Sequence, residues 1–535
     1  MAAHAARSTK RHEASNEVAR TRLHAHVHST TKRADGYERR RPEETVLHKV
    51  AQRAWPGFVD RCDEVTGGLP KFVRREVEGY LRCGLLEHGC VRLRCDRCGG
   101  EIVVAFSCKA RGFCPSCVAK RMADVAAHLI DEVLPEVPVR QWVCTLPWVL
   151  RKRAGCKRAF YTDIIEAFVA SLTTELRQRA KRQLGLSSVS KAHAGLVTFV
   201  QRSDGALRLN VHLHTLALDG VYVRNRDGKL EFHALTPPTT AEVYAVAKRM
   251  HARVQRLCAK HGLRDELRDE PGEEASALAV CMDAAAQDVS LFGERAGERT
   301  KKLVQAVRAA EGRLASPFVA EVGGVNIHAG VAVHGRDRQA LERLCRYVTR
   351  PPIALERLTE RADGCVEVAF RKPWRDGTRA VVLTAEDLLA RLCAMVPPPR
   401  FHLTRYAGVL ASNAAMRAEV VPGRAKEVER NGVTNDDAQR ELFGEKRAQL
   451  IEENDSEKKP TRHPWAWLLR RVFAVEVLVC VHCAGKLRLV EIATEAGAIK
   501  RIIRDERRRR GEPVSEMEAR GPPRGPPGQL LFAFR

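Results

Sequence analysis

The chain has 535 residues, with 91 Lys and Arg against 66 Asp and Glu, and carries a formal net charge of +25. That length admits about two to four domains, and the charge favours a polyanionic partner, nucleic acid first, because neutralised phosphates release counterions. No stretch approaches the roughly 20 apolar residues of a membrane span, and the opening MAAHAARSTKRHEASNEVAR lacks the apolar core of a secretory signal, so a soluble, cytoplasmic protein without a membrane partner is expected.

Residues 1–45 are polar and basic, end in Glu38-Arg39-Arg40-Arg41-Pro42, and read as a flexible arm. Residues 46–135 form a helical, cysteine-rich segment. From Val139 strands and helices alternate, and the pattern predicts one mixed domain over 136–425. VRQWVCTL (139–146) is strand-like and 157–184 helical. LVTFVQR (196–202) and LRLNVHLHTLALDGVYV (207–223) form a hairpin through Ser203-Asp204-Gly205. KLEFHAL (229–235) is expected as a third adjacent strand, and 240–262 as a helix. Residues 263–315 read as a helical insertion. NIHAGVAV (326–333) returns to strand, and a helix from about 336 to 350 stops at Pro351-Pro352. A hairpin and helix fill 365–396. Residues 426–463 are a charged linker, 464–500 a segment holding Cys480 and Cys483, and 501–535 a basic tail, with Arg507 to Arg510 and GPPRGPPG, expected to be disordered. No internal repeat is present.

Seventeen cysteines in a reducing compartment point to metal ligands where clustered and to small core residues where scattered. Cys144, Cys156, Cys258, Cys281, Cys345, Cys365 and Cys393 are isolated and read as structural. Cys95-Asp-Arg-Cys98 and Cys114-Pro-Ser-Cys117 are two C-x-x-C knuckles fifteen residues apart. This is the spacing of a four-thiolate Zn²⁺ site, against chance packing of cysteines as the bland alternative. Cys108 or Cys90 could replace a ligand or join a second site. Lys109, Arg111, Lys120 and Arg121 flank the second knuckle and are candidate DNA contacts; a solvated basic face is the plain alternative. Cys480-Val-His-Cys483 stands alone, with no later cysteine, and reads as a truncated ribbon rather than a metal site.

Along the strand 207–223, Asn210, His212 and His214 share one face, while Leu209, Val211 and Leu213 share the other. Two imidazoles on one surface can share a divalent ion, although two satisfied core histidines are commoner for such a pair. In GRDRQALERLCRYVTRPP (335–352), Leu341, Leu344, Cys345 and Val348 make an apolar stripe at helical spacing. Tyr347 lies off that stripe, with Arg343 one turn before and Arg350 one turn after. A tyrosine between two guanidiniums sits where a phosphate could be held; a plain surface tyrosine is the alternative.

The cysteine-knuckle domain, N-V-H-L-H-T-L-A-L-D-G-V-Y, N-I-H-A-G-V, R-Y-V-T-R-P-P and F-H-L-T-R-Y-A-G-V, in that order, resemble transposases of the insertion sequence 91 family, within the HUH endonuclease superfamily. The likeness covers about residues 60–425, and WAWLLRRVF…CVHCAGKLRLVEI matches the family's later pattern. The prototype carries two tyrosines four residues apart; here Arg343 occupies the first position, so the chain resembles a single-tyrosine branch. The resemblance implies an α+β fold: a four-cysteine zinc-binding domain, then a five-stranded antiparallel sheet with helices and the histidines on a central strand. It implies Mg²⁺ or Mn²⁺ held by His212, His214 and a third ligand, with His328 the first choice and Gln201 the second. Tyr347 would nick and rejoin single-stranded transposon ends through a 5′-phosphotyrosine, mobilising an insertion sequence by a rolling-circle-like route, with Arg343 and Arg350 on the phosphate.

Two rivals fare worse. A tyrosine recombinase would need a tyrosine well downstream of His402-Leu-Thr-Arg405, and the last one in the chain is the adjacent Tyr406. A non-catalytic zinc-finger DNA-binding protein, or an inactive transposase copy, explains the charge and cysteines but leaves the histidine–tyrosine arrangement as coincidence.

Overall fold

The computed structural model describes residues 39–263, 276–304, 317–374, 376–422, 480 and 482–510. The arm up to residue 38, the linker 426–463, the stretch 464–479 and the tail beyond 510 lie outside the described residues. Helix α1 (Val46–Thr66) opens on Thr45, whose hydroxyl accepts from His48 N, and closes on Gly67 at φ 66°. It is followed by α2 (Lys71–Arg82), the hairpin β1 (Cys90–Cys95) and β2 (Glu101–Ala105), and α3 (Pro115–His128), which runs into a π-helical turn, Leu129–Val133. Proline at the first position of α3 suits a helix start, where its missing N–H goes unneeded.

The chain then supplies β3 (Val139–Thr145), α4 (Arg151–Cys156), α5 (Arg158–Leu184), β4 (Gly195–Ser203) and β5 (Leu209–Leu218). Asp204 makes the β4–β5 turn by accepting from the backbone of Ala206 and Arg208. The stretch 207–223 is not one strand. It breaks at Asp219, whose carboxylate is held by the buried Arg140 guanidinium at 2.7 to 3.1 Å. Beyond the break, β6 (Gly220–Arg224) pairs with β7 (Leu230–Ala234) in a separate two-stranded ribbon rather than adding a third strand to the hairpin.

Next come α6 (Thr240–Lys260), α7 (Ala277–Gln287), β8 (Lys301–Val304), β9 (Val319–Val322), β10 (Val325–Val333) and α8 (Arg338–Val348). The expected helical insertion is therefore mixed, because β8 pairs with a later strand. That strand belongs to the run β11 (Leu358–Glu360), β12 (Val366–Ala369) and β13 (Thr378–Leu383), and the four form a sheet ordered β11-β12-β13-β8. The described chain ends through α9 (Ala385–Met395), β14 (Thr404–Gly408), α10 (Arg417–Val420), β15 (Leu487–Ala493) and α11 (Ala496–Arg510). Residues 501–510, read from sequence as tail, are helical; Ile499 and Ile502 on α11 are buried with Leu86, Cys90 and Val103.

The central sheet is antiparallel throughout, in the order β14-β4-β5-β3-β10-β9. It has six strands where five were expected: β14, from the F-H-L-T-R-Y-A-G-V motif, supplies one edge and β9 the other. One face buries Leu209, Val211 and Leu213 in a core with Phe160, Phe168, Val243 and Met250 of α5 and α6. The other buries Val197, Phe199, Leu216 and Leu218 against Leu341, Leu344, Cys345 and Val348 of α8. The expected alternation of β5 and the apolar stripe of α8 thus have one common purpose, which is to lay α8 across the histidine face. No helix among the described residues is long and apolar enough to cross a membrane.

Candidate functional site

His212 and His214 lie on β5 between two hydrogen-bonded neighbours. His212 stands opposite Thr145 and Gln201, and His214 opposite Val143 and Phe199. Their ring centroids are 5.0 Å apart. Each ring has its Nδ1 engaged: His212 Nδ1 lies 2.7 Å from the Asn210 carbonyl oxygen, and His214 Nδ1 lies 2.7 Å from the Gln141 amide. A carbonyl can only accept, so His212 carries its proton on Nδ1 and leaves Nε2 with a lone pair. At His214 it is the Gln141 amide nitrogen that faces Nδ1, and since an amide nitrogen can only donate, Nδ1 accepts there. The His214 Nε2 is buried and has no hydrogen-bond partner among the described residues. Burial, and then the charges of His212 and Arg350, push the His214 imidazole down to about 3; burial lowers His212 as well. Two neighbouring neutral rings, each held from behind at Nδ1, suit a divalent cation: His212 offers Nε2 as it stands, and His214 does so once the Gln141 amide is turned over to accept.

Tyr347 stands over this space on the last turn of α8, with its ring 6.1 Å from that of His214 and at 82° to it. It is 41 % exposed, while its stripe neighbours Leu344, Cys345 and Val348 are buried. The Arg350 guanidinium lies over the tyrosine ring, its central carbon 4.4 Å from the centroid. Arg343 is half-buried one turn earlier. Gln201, expected as a possible ligand, uses its amide nitrogen to donate to the Val348 carbonyl at 2.9 Å, tying the end of α8 to β4. Gln141 was missed by sequence reasoning. It is one glutamine in a strand, and only its register beside His214 gives it a role.

His328 does not join the pair. It stands opposite Val143, which itself stands opposite His214, so it lies two strands out from the His214 backbone, about 10 Å away. Its ring folds over Gly330 of its own strand, where an added Cβ would meet it at 3.2 Å. Outside the cysteines, no three His, Cys, Asp or Glu side chains among the described residues come close enough to share an ion.

The cysteines assemble differently from the expectation. Cys95 and Cys98 do not meet Cys114 and Cys117. Instead Cys83, Cys108, Cys114 and Cys117 converge in one cluster, and Cys95, Cys98, Cys480 and Cys483 in another. In the first, Cys108 and Cys117 sulfurs are 3.4 Å apart, and Cys83 lies 3.7 Å from both Cys114 and Cys117. Four thiolates around a tetrahedral Zn²⁺ at about 2.3 Å stand about 3.8 Å apart, which matches this packing. Hydrogen bonds from Cys108, Cys114 and Cys83 pull the Cys117 thiol down, and Cys114 and Cys117 sit at the N-terminal turn of α3, where thiolates are favoured. The reason for the split is geometric. Strand β1 ends at Cys95 and its hairpin carries the first knuckle away, while the end of α2 brings Cys83 back to α3. Sequence reasoning missed Cys83 because it is a single cysteine twenty-five residues before Cys108.

Of the expected DNA contacts, Arg111 donates to the Phe401 carbonyl at 2.8 Å and so joins the cysteine domain to the loop before β14. Lys109 and Lys120 are exposed, and Arg121 donates to the Lys109 carbonyl.

Two known domain families match. The family described as "Transposase zinc-binding domain" matches residues 50–146, and that described as "Putative transposase" matches residues 195–417. No curated protein and no solved structure gives a significant match. The zinc-binding match holds six of the eight clustered cysteines, and the transposase match holds both histidines and Tyr347. A zinc-binding domain with clustered cysteines, followed in order by a transposase domain, makes this chain a member of the insertion sequence 91 family of transposases.

Proposed function

We propose that this transposase cuts and rejoins single-stranded DNA with Tyr347 as nucleophile and His212 and His214 as ligands to Mg²⁺ or Mn²⁺. The observation that carries the proposal is the meeting of three features at one point. These are a histidine pair held from behind, with His214 Nε2 buried and without a partner among the described residues, a half-exposed tyrosine ring 6.1 Å from the His214 ring, and a guanidinium over that tyrosine.

When bound, the ion would polarise a non-bridging oxygen of the scissile phosphate and orient it for in-line attack. The chain's own groups account for the rest. The Asn210 carbonyl holds His212 in the tautomer that presents Nε2, and Gln141, with its amide turned over to accept, would do the same for His214. Gln201, by fixing the Val348 carbonyl, holds the last turn of α8 and with it the tyrosine. The phenol oxygen forms a bond to phosphorus as the bond to the 3′ oxygen breaks. The phenolic proton leaves to solvent and the 3′ oxygen takes one up. The product is a 5′-phosphotyrosine and a free 3′-hydroxyl, and the reverse reaction rejoins a strand without ATP. Arg350 is placed to neutralise charge on the transferring phosphate, and Arg343 lies within one helical turn. Lys109 and Lys120 offer the chain's positive surface to the DNA backbone. By this reading the remaining coordination positions belong to water and phosphate oxygens, and Gln201 positions rather than ligates. The nicking and rejoining would serve a rolling-circle-like movement of an insertion sequence.

The test is incubation of the full chain with single-stranded oligonucleotides and Mn²⁺. Cleavage with a covalent protein–DNA product is expected from the wild type, and neither from Tyr347→Phe. His212→Ala should bind DNA but not cut it. Equal cleavage by wild type and Tyr347→Phe would remove Tyr347 from the mechanism.

A further inference from the structure

We propose that Cys95, Cys98, Cys480 and Cys483 hold a second structural Zn²⁺, which fastens the late strand β15 and helix α11 onto the cysteine domain. The matched zinc-binding family ends at residue 146, so it contains only half of this site. Cys95 and Cys483 sulfurs are 3.5 Å apart, and Cys98 and Cys480 sulfurs 3.4 Å. All four lie within 4.8 Å of one another. Disulfides would need about 2.05 Å, whereas four sulfurs converging at near 3.5 Å surround a space of ion size.

The two knuckles are built alike. Cys95 N donates to Gly100 O at 2.7 Å and Gly99 N to Cys95 O at 3.0 Å; Cys480 N donates to Gly485 O at 2.7 Å and Ala484 N to Cys480 O at 2.8 Å. The fifth residue of each turn is left-handed, Gly99 at φ 73° and Ala484 at φ 55°. The sixth is glycine for want of space: a Cβ on Gly485 would come within 2.9 Å of Cys95 Sγ, and one on Gly100 within 3.3 Å of Cys98 Sγ. Cys95-Asp-Arg-Cys-Gly-Gly and Cys480-Val-His-Cys-Ala-Gly thus share C-x-x-C-x-G, which Cys114-Pro-Ser-Cys117 lacks because its knuckle opens a helix. Two equivalent knuckles facing each other across four sulfurs form a ribbon site, with no open position for water and hence no catalytic role.

What the site fastens is substantial. Strand β15 pairs with β1 from Cys90↔Ala493 to Cys95↔Leu487. Asp96 N donates to Lys486 O at 3.0 Å, Arg97 to the Cys483 carbonyl at 3.2 Å, and Arg488 pairs with Asp96 at 2.6 Å. Arg509 of α11 reaches Glu101 at 2.7 Å. The sulfurs of Cys98 and Cys480 meet across 382 residues of chain. Exposed Cys98 has no reason to cluster with three other thiols as a hydrophobe.

The experiment counts metal on the full chain by elemental analysis and native mass spectrometry. Two zinc ions per chain are expected for the wild type and one for Cys480→Ser/Cys483→Ser. Gly485→Ala, which keeps every ligand, should bind the second ion at least tenfold more weakly. Cobalt exchange shows whether the remaining four-thiolate site is intact and the variant folded; Cys83→Ser/Cys108→Ser must lose the other ion. A protease site placed within 425–463 then reads out the fastening. After cleavage the wild-type pieces should co-elute, and those of Cys480→Ser/Cys483→Ser should separate. A wild type with one zinc, or a double serine variant with two, would overturn the site, and co-eluting pieces from the double serine variant would overturn its fastening role.

Discussion

At the scale of single residues, the histidine pair depends on groups behind it. Gln141 is almost fully buried and touches His214 Nδ1, so replacing it with leucine leaves both proposed ligands in place while freeing the ring to rotate. Gln141→Leu should weaken Mn²⁺ binding by roughly 10- to 100-fold, measured by calorimetry or Mn²⁺ resonance, with Gln141→Glu restoring part of it. Unchanged affinity would deny it a positioning role. The same burial gives His214 a pH signature. Its folded pKa of about 3 lies below the value of about 6.5 for an exposed imidazole. The unfolded chain therefore binds a proton that the folded one refuses, and stability falls as pH drops from about 6.5 toward 3. Urea unfolding of the metal-free protein at pH 7 and pH 5 should show a smaller loss for His214→Gln than for the wild type; equal losses would mean that His214 is not held neutral. The histidines and Tyr347 were legible in the sequence because strand and helix periodicity set them apart from apolar neighbours. Gln141 and Cys83 were not, since each acquires its partner only through register or through a turn between elements. His328 shows the converse, because a strand just before the tyrosine helix need not neighbour the histidine strand, and β3 lies between them.

At the scale of elements, α8 carries the tyrosine half of the proposed site and is held on three sides. Its stripe packs on the sheet, Gln201 holds its last turn, and Arg338 at its first turn donates to the carbonyls of Ile130, Leu134 and Pro135. Ile130 belongs to the π-helical turn that continues α3 and Leu134 and Pro135 follow it directly, and α3 itself begins at the clustered cysteines Cys114 and Cys117. The first cysteine cluster therefore sets the start of the helix against which α8 packs. Leu344→Ala should cost about 2–5 kcal/mol of stability by opening a cavity between α8 and Phe199, and it should lower cleavage more than DNA binding. A thermal or urea melt indistinguishable from wild type would contradict that packing. Most elements could be read from the sequence, since caps, prolines and hairpin turns act locally. The break at Asp219 could not, because it is forced by Arg140, 79 residues earlier in the chain. The partner of β8 could not either, because β13 follows it by more than seventy residues.

At the scale of the whole molecule, the chain is a transposase whose zinc-binding domain and central sheet share continuous cores, with a net charge of +25. DNA affinity should fall steeply with salt; between 50 and 200 mM a loss of roughly 10³-fold or more follows if about six phosphates are contacted. A flat salt dependence would contradict a backbone-dominated interface. The one large-scale feature misread from sequence is the grouping of the cysteines. Spacing along the chain favoured the nearest two knuckles, whereas the turn chemistry C-x-x-C-x-G pairs the first with one 382 residues away. The central claim rests on one bond, between the Tyr347 oxygen and a DNA phosphate. The direct measurement is mass spectrometry of a trypsin digest after reaction with a single-stranded oligonucleotide and Mn²⁺. A nucleotide carried on the peptide that begins at Tyr347, following Arg346, is the predicted result. A covalent nucleotide on any other residue, or cleavage with no covalent nucleotide at all, would contradict it.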